Sequence, residues 1–452
     1  MISMSAKSIL IKTTKVLSWT FVVLVVIGLI ILTKVDRSPI EDQAFYKETL
    51  ESLDQSTFSN SQGEAWIAGW SSVNMTPAEP ADLVGYAPRG KYEFVQDSSF
   101  VKALALSNGN TRIAWLNYEL LIVHPHLAEQ LQNAISEAKL PIDQVIFTAT
   151  HTHSGMGGYM PGPMGELAFG GYDQGIVDLM VSSSLSALQN AIASQDTVSI
   201  TYRKSDAGAL VANRFVKDGP TDPFVRQLIF TKTSGDKATF LTYSAHATTM
   251  STKFMGLSGD YPFYLTKDLE AGGFDFAMYA AGTVGSHRPL RPGNTPGMVE
   301  RYAHQLDSTL NLRMTYFATV KNHRIKTGYL PISLREPHLR VSDNLRLRPW
   351  LFNYLLGETN AHLDITQIGN MLMIASSGEL SGVFYEKWEK LAQSRGLNLI
   401  ITTFNGGYIG YITPDELYDE NFHEVREMNW YGPGNGKYFD EMVMAIIKKS
   451  SP

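Results

Sequence analysis

The sequence predicts an α/β fold in which mixed β-sheets are flanked by helices within a single large domain. Apolar β-branched runs typical of strands alternate with segments of helical periodicity, and several predicted strands follow one another closely along the chain. The chain has 452 residues, of which 44% are hydrophobic and 18% charged, so it is long and apolar enough to bury a large core. No linker is evident that would divide this domain.

An uncharged apolar run over residues 16–33 is 18 residues long, within the range of about 17–25 needed to cross a membrane. Three lysines precede the run, whereas one lysine and one arginine follow it closely. We therefore predict one N-terminal transmembrane helix over 16–33, with residues 1–15 as a cytoplasmic tail and the rest on the periplasmic or extracellular side. A cleaved signal peptide is the alternative, although no small-x-small cleavage site follows the run.

The remaining chain is predicted to form a polar spacer with some helix over 34–60, and then one domain over 61–452. Its hairpin is indicated by the turn sequence Ser-Asn-Gly-Asn at 107–110, and its helices by apolar residues spaced three and four apart. The predicted elements of the domain are strands at 101–106 and 112–117, a helix at 127–138, a strand at 145–150, a helix at 176–193, and strands at 198–202, 227–231, 239–243 and 370–376.

Composition excludes several classes of function. The formal net charge of −6 gives no basic surface for nucleic acid, so we expect no nucleic-acid partner. The chain has no cysteine, which excludes disulfides, thiolate metal ligands and a cysteine nucleophile. Any metal must therefore be held by histidine, carboxylate or phenolate side chains.

The most informative segment is VIFTATHTHSGMGGY at residues 145–159. It begins as an apolar strand and continues into His151-Thr152-His153 and a run rich in glycine. Two histidines at i and i+2 on an extended segment project to the same face, where they can bind a metal, or one can bind a metal while the other acts on a substrate. A chance pair on a surface turn is the alternative, but the strand and the glycines favour a site.

The same residues carry a family resemblance. THTHSGMGGY at 150–159 closely resembles the THTHSGPGGY signature of the neutral (non-lysosomal) ceramidases, which are zinc amidases, with Met156 in place of proline. Ser258-Gly259-Asp260 matches the SGD of that family. The ordered resemblance extends, with gaps, from about Gly85 to Tyr438, and implies a divergent member of the neutral/alkaline ceramidase family that contains its catalytic domain and lacks the C-terminal sandwich module of the known ceramidases.

The resemblance implies a Zn²⁺ site formed by His151, His246, Glu379 and Tyr411. The last three stand in LTYSAHATTM, IASSGELSG and FNGGYIGYITPDELY, which match the ligand-bearing segments of the family. By residue type alone, a lone histidine at a strand end would be structural, the glutamate a helix cap and the tyrosine a core aromatic. Two histidines, a carboxylate and a weak oxygen ligand leave room for water on zinc, as in catalytic sites.

Four further positions are implied to handle the substrate. His153 corresponds to the histidine beside the scissile bond, and Arg214, in VANR, to an active-site arginine. Ser286, in AGTVGSHRP, falls where the family has the serine of GDVSPN, but this loop departs most from the family pattern. His423 stands where the family has a tyrosine that assists the oxyanion. Whether Ser286 attacks the substrate or positions it stays open at this point.

The resemblance thus implies a zinc-dependent amidohydrolase that cleaves the N-acyl amide bond of a ceramide-like lipid into a fatty acid and a sphingoid base, and the apolar run at 16–33 predicts that it is membrane-anchored. Its partners would be that lipid and the membrane, through the N-terminal helix. Two alternatives stay open. The substrate could be another linear acyl amide or ester, or the protein could be a catalytically weak binding relative. Retention of all four metal positions argues against a weak relative, whereas the altered serine loop argues for one.

Overall fold

The computed structural model describes residues 3–86, 89–357 and 359–451, with side chains from residue 11 onward. Met1 and Ile2 of the predicted tail, and Pro452 at the end of the predicted domain, lie outside the described residues, as do residues 87, 88 and 358.

Eleven α-helices form within the described ranges. They are α1 (Ser3–Ile31), α2 (Ala44–Gln55), α3 (Pro125–Glu137), α4 (Pro163–Phe169), α5 (Gln174–Ala193), α6 (Asp260–Ala271), α7 (Pro296–Leu312), α8 (Pro349–Leu356), α9 (Tyr385–Ser394), α10 (His423–Arg426) and α11 (Asn435–Lys449).

The strands of the same ranges are β1 (Leu32–Lys34), β2 (Ser59–Gln62), β3 (Trp66–Asn74), β4 (Phe94–Val95), β5 (Phe100–Ser107), β6 (Arg112–Tyr118), β7 (Gln144–Ala149), β8 (Asp196–Asp206), β9 (Val211–Asn213), β10 (Phe224–Lys232), β11 (Lys237–Tyr243), β12 (Gly256–Leu257), β13 (Phe276–Ala281), β14 (His287–Pro289), β15 (Met314–Thr319), β16 (Arg324–Pro331), β17 (Leu345–Leu347), β18 (His362–Ile368), β19 (Met371–Ser376), β20 (Glu379–Leu380), β21 (Asn398–Thr403) and β22 (Tyr411–Ile412).

Two mixed sheets form the body. The large sheet has the order β13-β11-β10-β8-β3-β5-β6-β7, with β15 paired to β8, and the small sheet has the order β2-β16-β18-β19-β21. Within these two sheets, neighbouring strands pair antiparallel except β11–β13, β6–β7 and β19–β21, which are parallel. The α/β class with mixed sheets, predicted from the sequence, is confirmed.

The two sheets pack face to face, and helices cover both outer faces. Alternation along β5 shows why: Leu104 and Leu106 point into the core between the sheets, whereas Ala103 and Ala105 face the helical layer. On the large sheet that layer consists of α3, α5, α6 and α7, and on the small sheet of α2, α9 and α11. The result is a four-layer helix–sheet–sheet–helix sandwich whose strand ends carry the candidate site.

The predicted spacer over 34–60 is in contact with the body. Ile40 and Leu53 are buried in the core of the small sheet, and the Tyr438 hydroxyl donates to Thr49 Oγ1 at 2.7 Å. The segment is polar in composition, but α2 is amphipathic and buries its few apolar residues on one side. The domain bounds read from the sequence stay a prediction.

The N-terminal helix α1 carries the predicted apolar run. Residues Ile11–Ile31 are long and apolar enough to cross a membrane, and none of this stretch is buried against the body. Residues 32 and 33, the last of the predicted span, instead belong to β1, whose backbone pairs with β17. Helix α5 meets the same length and composition criterion, but it packs on the large sheet. An anchor and a signal sequence both fit α1, so its crossing of a membrane and its orientation stay predictions.

Candidate active site

The candidate ligands follow strand ends that meet at one edge of the sandwich. His151 and His153 come directly after β7, and His246 comes after β11. Glu379 and Tyr411 are direct partners in the parallel pair β20–β22. Residues distant in the chain are therefore brought to neighbouring backbone positions by the topology.

The four predicted ligands converge on one point, together with His153. His246 Nε2 lies 2.8 Å from His151 Nε2, 3.1 Å from His153 Nε2 and 3.5 Å from the Tyr411 hydroxyl. The Glu379 Oε2 atom lies 3.4 Å from His151 Nε2. The three imidazole nitrogens form a cluster able to hold a metal ion.

The backbone fixes the direction of each ring. In all three histidines Nδ1 faces a main-chain carbonyl: His151 faces Leu121 O at 2.7 Å, His153 faces Gly85 O at 2.6 Å, and His246 faces Val284 O at 3.3 Å. A carbonyl only accepts hydrogen bonds, so Nδ1 carries the proton and Nε2 presents its lone pair. Burial lowers the pKa of His153 and of His246 well below the usual range, which keeps both rings neutral.

The carboxylate of Glu379 completes an electron-rich centre. Its Oε1 atom accepts a hydrogen bond from the Tyr408 hydroxyl at 2.8 Å, whereas the buried Oε2 atom accepts none from any residue that the structure describes. Three lone pairs and a carboxylate oxygen facing one another inside a protein repel, and an unpaired buried oxygen is costly. A cation bound among them removes both penalties, and nitrogen with oxygen donors suits a transition metal such as zinc. The donor set therefore fits a metal.

The backbone at His151 is strained. His151 has φ +63°, a conformation that residues other than glycine rarely adopt. The ring of Phe404, whose own φ is +68°, stacks on the His151 ring at 4.2 Å between centroids. Such strain persists only where surrounding contacts enforce it, and it concentrates at functional sites.

A cavity of about 660 Å³ opens above the cluster. Its wall is mainly apolar, and the polar groups converge on the histidines. Apolar lining residues include Met160, Met164, Phe169, Leu356, Met428 and Trp430. The cavity has the volume and the lining expected for an apolar ligand with one polar group to be held at the cluster.

Arg214 and His423 also line this cavity. The N–H of Arg214 donates to Ser286 O at 2.9 Å, beside the β9–β14 pair, and its guanidinium forms an ion pair with Glu424. His423, at the start of α10, lies at the rim, where its side chain is 63% exposed and its Nδ1 is 2.6 Å from Glu427 Oε2. Arg214 thus brings a largely buried charge to the cavity, whereas His423 faces solvent.

Ser286 is the predicted site residue that the structure does not bring to the cavity wall. It is fully buried, and its hydroxyl is 2.9 Å from His287 Nδ1 and 2.7 Å from the Ser381 hydroxyl. The preceding Gly285 packs against the backbone of Glu379, where a Cβ would lie 2.2 Å from the carbonyl oxygen. This loop supports Glu379 and Arg214 from behind.

Two residues that complete the site were missed from the sequence. Tyr408, which donates to Glu379, stands three positions before Tyr411 in FNGGYIGY, so the segment whose family resemblance pointed to Tyr411 contains this residue too. Glu424, which pairs with Arg214, adjoins His423. Its signal was weak, because one carboxylate in a charged loop does not reveal a distant partner.

We expect Gly85→Ala to damage the site and Gly90→Ala to spare it. Both glycines have positive φ, +101° and +80°, but a Cβ on Gly85 would lie 2.5 Å from His153 Cα, whereas a Cβ on Gly90 has open space around it. Each alanine costs roughly 1–2 kcal/mol of backbone strain, and only Gly85→Ala also displaces His153. Thermal unfolding with metal titration checks this, and equal metal affinity in the two variants would contradict it.

The chain is similar to known proteins in sequence and in fold. Residues 67–270 match the model of the neutral/alkaline non-lysosomal ceramidase family, N-terminal domain. The structure is similar to that of neutral ceramidase from Pseudomonas aeruginosa, with a TM-score of 0.68 and 16% identity over 86% of this chain and 75% of that one. It is also similar to a ceramidase complexed with C2, with a TM-score of 0.70 and 15% identity over 86% of this chain and 77% of that one. Comparison with curated protein sequences gives no match.

At these identities the solved structures show the shared fold, which extends over most of the chain. The matched segment contains the signature at 150–159 and all three clustered histidines. The resemblance read from the sequence is confirmed over residues 67–270, which match the model of the neutral/alkaline non-lysosomal ceramidase family.

Proposed function

We propose that the protein is a membrane-anchored, zinc-dependent amidohydrolase that cleaves the N-acyl amide bond of a ceramide-like lipid, releasing a fatty acid and a sphingoid base. One observation carries this proposal. Three imidazole lone pairs and an unpartnered buried carboxylate oxygen face one another at a largely apolar cavity. A donor set for a catalytic metal thus lies where an acyl chain would end.

In this proposal His151, His246, Glu379 and Tyr411 hold the zinc ion. When bound, zinc supplies a Lewis acid for the acyl carbonyl and lowers the pKa of water toward ~7. Burial, with the nearby Glu379 carboxylate, raises the pKa of Tyr411 well above the ordinary value, so in the absence of a cation it is a neutral phenol. It is the weak fourth donor.

The remaining groups handle charge and protons. Addition of water to the acyl carbon places negative charge on the carbonyl oxygen, and the guanidinium of Arg214 is the buried positive charge available to stabilise it. His153 presents Nε2 toward the same point, and we assign it the role of accepting the proton that leaves the attacking water. That proton passes to the amine nitrogen as the C–N bond breaks, so the products are a fatty acid and a free amine. His423 contributes a hydrogen bond from the rim.

We assign Ser286 a positioning role. Its hydroxyl is engaged with His287 and Ser381, and its carbonyl oxygen accepts the Arg214 N–H. A buried serine with these partners supports the wall of the site rather than attacking a substrate held in the cavity.

The lipid character of the substrate is supported by the cavity and by a relative. The wall is apolar over most of its area, as a binding site for acyl and alkyl chains requires. A solved ceramidase of the same fold is complexed with C2. The proposed organisation is a tail over 1–15, an anchor over 16–33 and a catalytic domain over 61–452 on the non-cytoplasmic side, with the segment over 34–60 between anchor and domain.

The test is hydrolysis by the purified full-length protein. Ceramide in mixed micelles is expected to release fatty acid and sphingoid base in equal amounts, measured by mass spectrometry. Release from acyl esters but not from amides would replace the proposed reaction, and binding without turnover would indicate a non-catalytic relative. Protease treatment of intact cells checks the orientation, since an external domain is digested while a cytosolic marker survives.

Removal of metal is expected to stop the reaction. A chelator should abolish hydrolysis, and Zn²⁺ should restore it whereas Mg²⁺ should not, because two of the four proposed ligands, His151 and His246, are imidazole nitrogens, which magnesium binds poorly. Metal content per chain, measured by mass spectrometry in parallel, links the loss of activity to the loss of zinc. Undiminished turnover by protein shown to be free of metal would contradict the proposed chemistry.

A further inference from the structure

Helix α8 (Pro349–Leu356) presents an exposed aromatic face. Trp350 and Tyr354 are 53% and 67% exposed, while Phe352 between them is buried in the core. The two exposed residues are four positions apart, so they lie on one face, a turn from each other. Tryptophan and tyrosine exposed together on one helix face are typical of segments that lie at a membrane–water interface.

The start of α8 is joined to the end of the candidate anchor. The N–H of Arg348, the residue before α8, donates to Ile31 O at 2.8 Å, and its guanidinium donates to Leu29 O at 3.0 Å. Strand β1, which continues from α1, pairs with β17, which ends just before α8. These bonds hold Arg348, two positions before Trp350, against the last turn of α1. A helix that spans the bilayer would leave it at this turn.

The other end of α8 belongs to the wall of the cavity. Leu356, its last residue, lines the cavity, as do Met164 and Ala168 of the neighbouring helix α4. On the outer side of α4, Leu167 is also exposed. Because eight helical residues rise about 12 Å, one short helix connects the end of the anchor to the cavity.

We propose that Trp350, Tyr354 and Leu167 form an interfacial surface that seats the cavity against the lipid bilayer. The occupant of this surface is the boundary between headgroups and acyl chains, into which interfacial helices insert their apolar face. A lipid substrate then moves from the membrane into the cavity between α4 and α8 without crossing water. The docking rests on α1 spanning a membrane, and the route rests also on the proposed lipid hydrolysis.

The experiment uses single-cysteine variants of the full chain, which has no native cysteine. Trp350→Cys and Tyr354→Cys are labelled with a nitroxide and reconstituted in vesicles of phosphatidylcholine and phosphatidylglycerol. Phe317→Cys on β15, a position that is 56% exposed, is the matched control. Power saturation then measures contact with oxygen, which partitions into lipid, and with a soluble nickel chelate.

At positions 350 and 354 we expect collisions with oxygen to exceed those with nickel, and at position 317 the reverse. Dominant nickel contact at both α8 positions would overturn the proposal. Protection from both reagents would overturn it too, since it would indicate a protein partner such as a second copy of the chain. This readout needs no turnover, so a failure of the proposed hydrolysis leaves it interpretable.

The route is tested separately by Trp350→Ser combined with Tyr354→Ser. We expect a severalfold higher KM for ceramide embedded in vesicles, with kcat little changed, because the surface acts on delivery of the substrate. An unchanged KM in a variant that still hydrolyses ceramide would contradict the route.

Discussion

Replacing His151 by alanine is expected to remove the bound metal and to abolish hydrolysis together. Its Nε2 atom lies 2.8 Å from His246 Nε2 and 3.4 Å from Glu379 Oε2, so it adjoins two of the other proposed ligands. Loss of even an outer-shell partner typically lowers metal affinity by about 10–100-fold, and loss of a ligand should exceed that. Zinc per chain and release of sphingoid base are the two measurements.

The matched control is His304→Ala, which removes an imidazole from the exposed side of α7. It should retain zinc and activity. Because the His151 ring also stacks on Phe404 and bonds to Leu121 O, thermal unfolding must show that the His151→Ala chain remains folded. Full zinc occupancy with full activity in a folded His151→Ala protein would contradict the assignment of this residue as a ligand.

The sequence predicted the elements in which pattern and turn chemistry agree. The hairpin β5–β6, with its Asn-Gly turn, and the helices α3 and α5 were predicted to within a few residues. Strands β13 and β21 were not predicted, because a six-residue apolar run has no period that distinguishes a buried strand from a buried helix. The folded position of α2 was also missed, since Ile40 and Leu53 are isolated apolar residues in a polar segment.

The site was predictable in its parts rather than in its geometry. His151 and His153 share a strand end, so their proximity follows from chain spacing alone. The pairing of Glu379 with Tyr411 depends on two short strands meeting, and the approach of His246 depends on how the large sheet places β11. These are long-range contacts, and local patterns do not encode them. Only the family resemblance grouped these residues beforehand.

The carbonyls that orient the rings were likewise hidden from the sequence. Gly85, Leu121 and Val284 act through main-chain oxygen atoms, so their side chains carry no signal of this role. Gly85 alone has a visible requirement, because its positive φ and its contact with His153 exclude a side chain. Main-chain groups of this kind determine which nitrogen of each histidine is free to bind.

The alanine variants of His153 and Ser286 are expected to differ in rate. The serine loop departs from the family pattern, so the roles of these two residues need a direct test. We expect His153→Ala to lower kcat by about 10²–10³, the loss typical when a group that stabilises the transition state is removed. Its Nε2 atom is 3.1 Å from His246 Nε2 and the residue lines the cavity, so the substitution removes the imidazole to which we assign the proton transfer. Zinc content is measured as well, because His153 adjoins the ligands and a loss of metal would give the same fall in rate.

Ser286→Ala is expected to lower kcat by much less, with zinc retained. The serine hydroxyl is enclosed by His287 and Ser381, and the main-chain bond from its carbonyl to Arg214 survives the substitution. Single-turnover kinetics with mass spectrometry of the quenched protein decides between the mechanisms. An acyl group trapped on Ser286, or an inactive Ser286→Ala enzyme that still binds zinc, would make the serine the nucleophile and would require the loop to open toward the cavity. The alternative result is a large loss of rate in His153→Ala at full zinc occupancy and a small loss in Ser286→Ala. It would support direct attack by water, with His153 accepting the proton of the water.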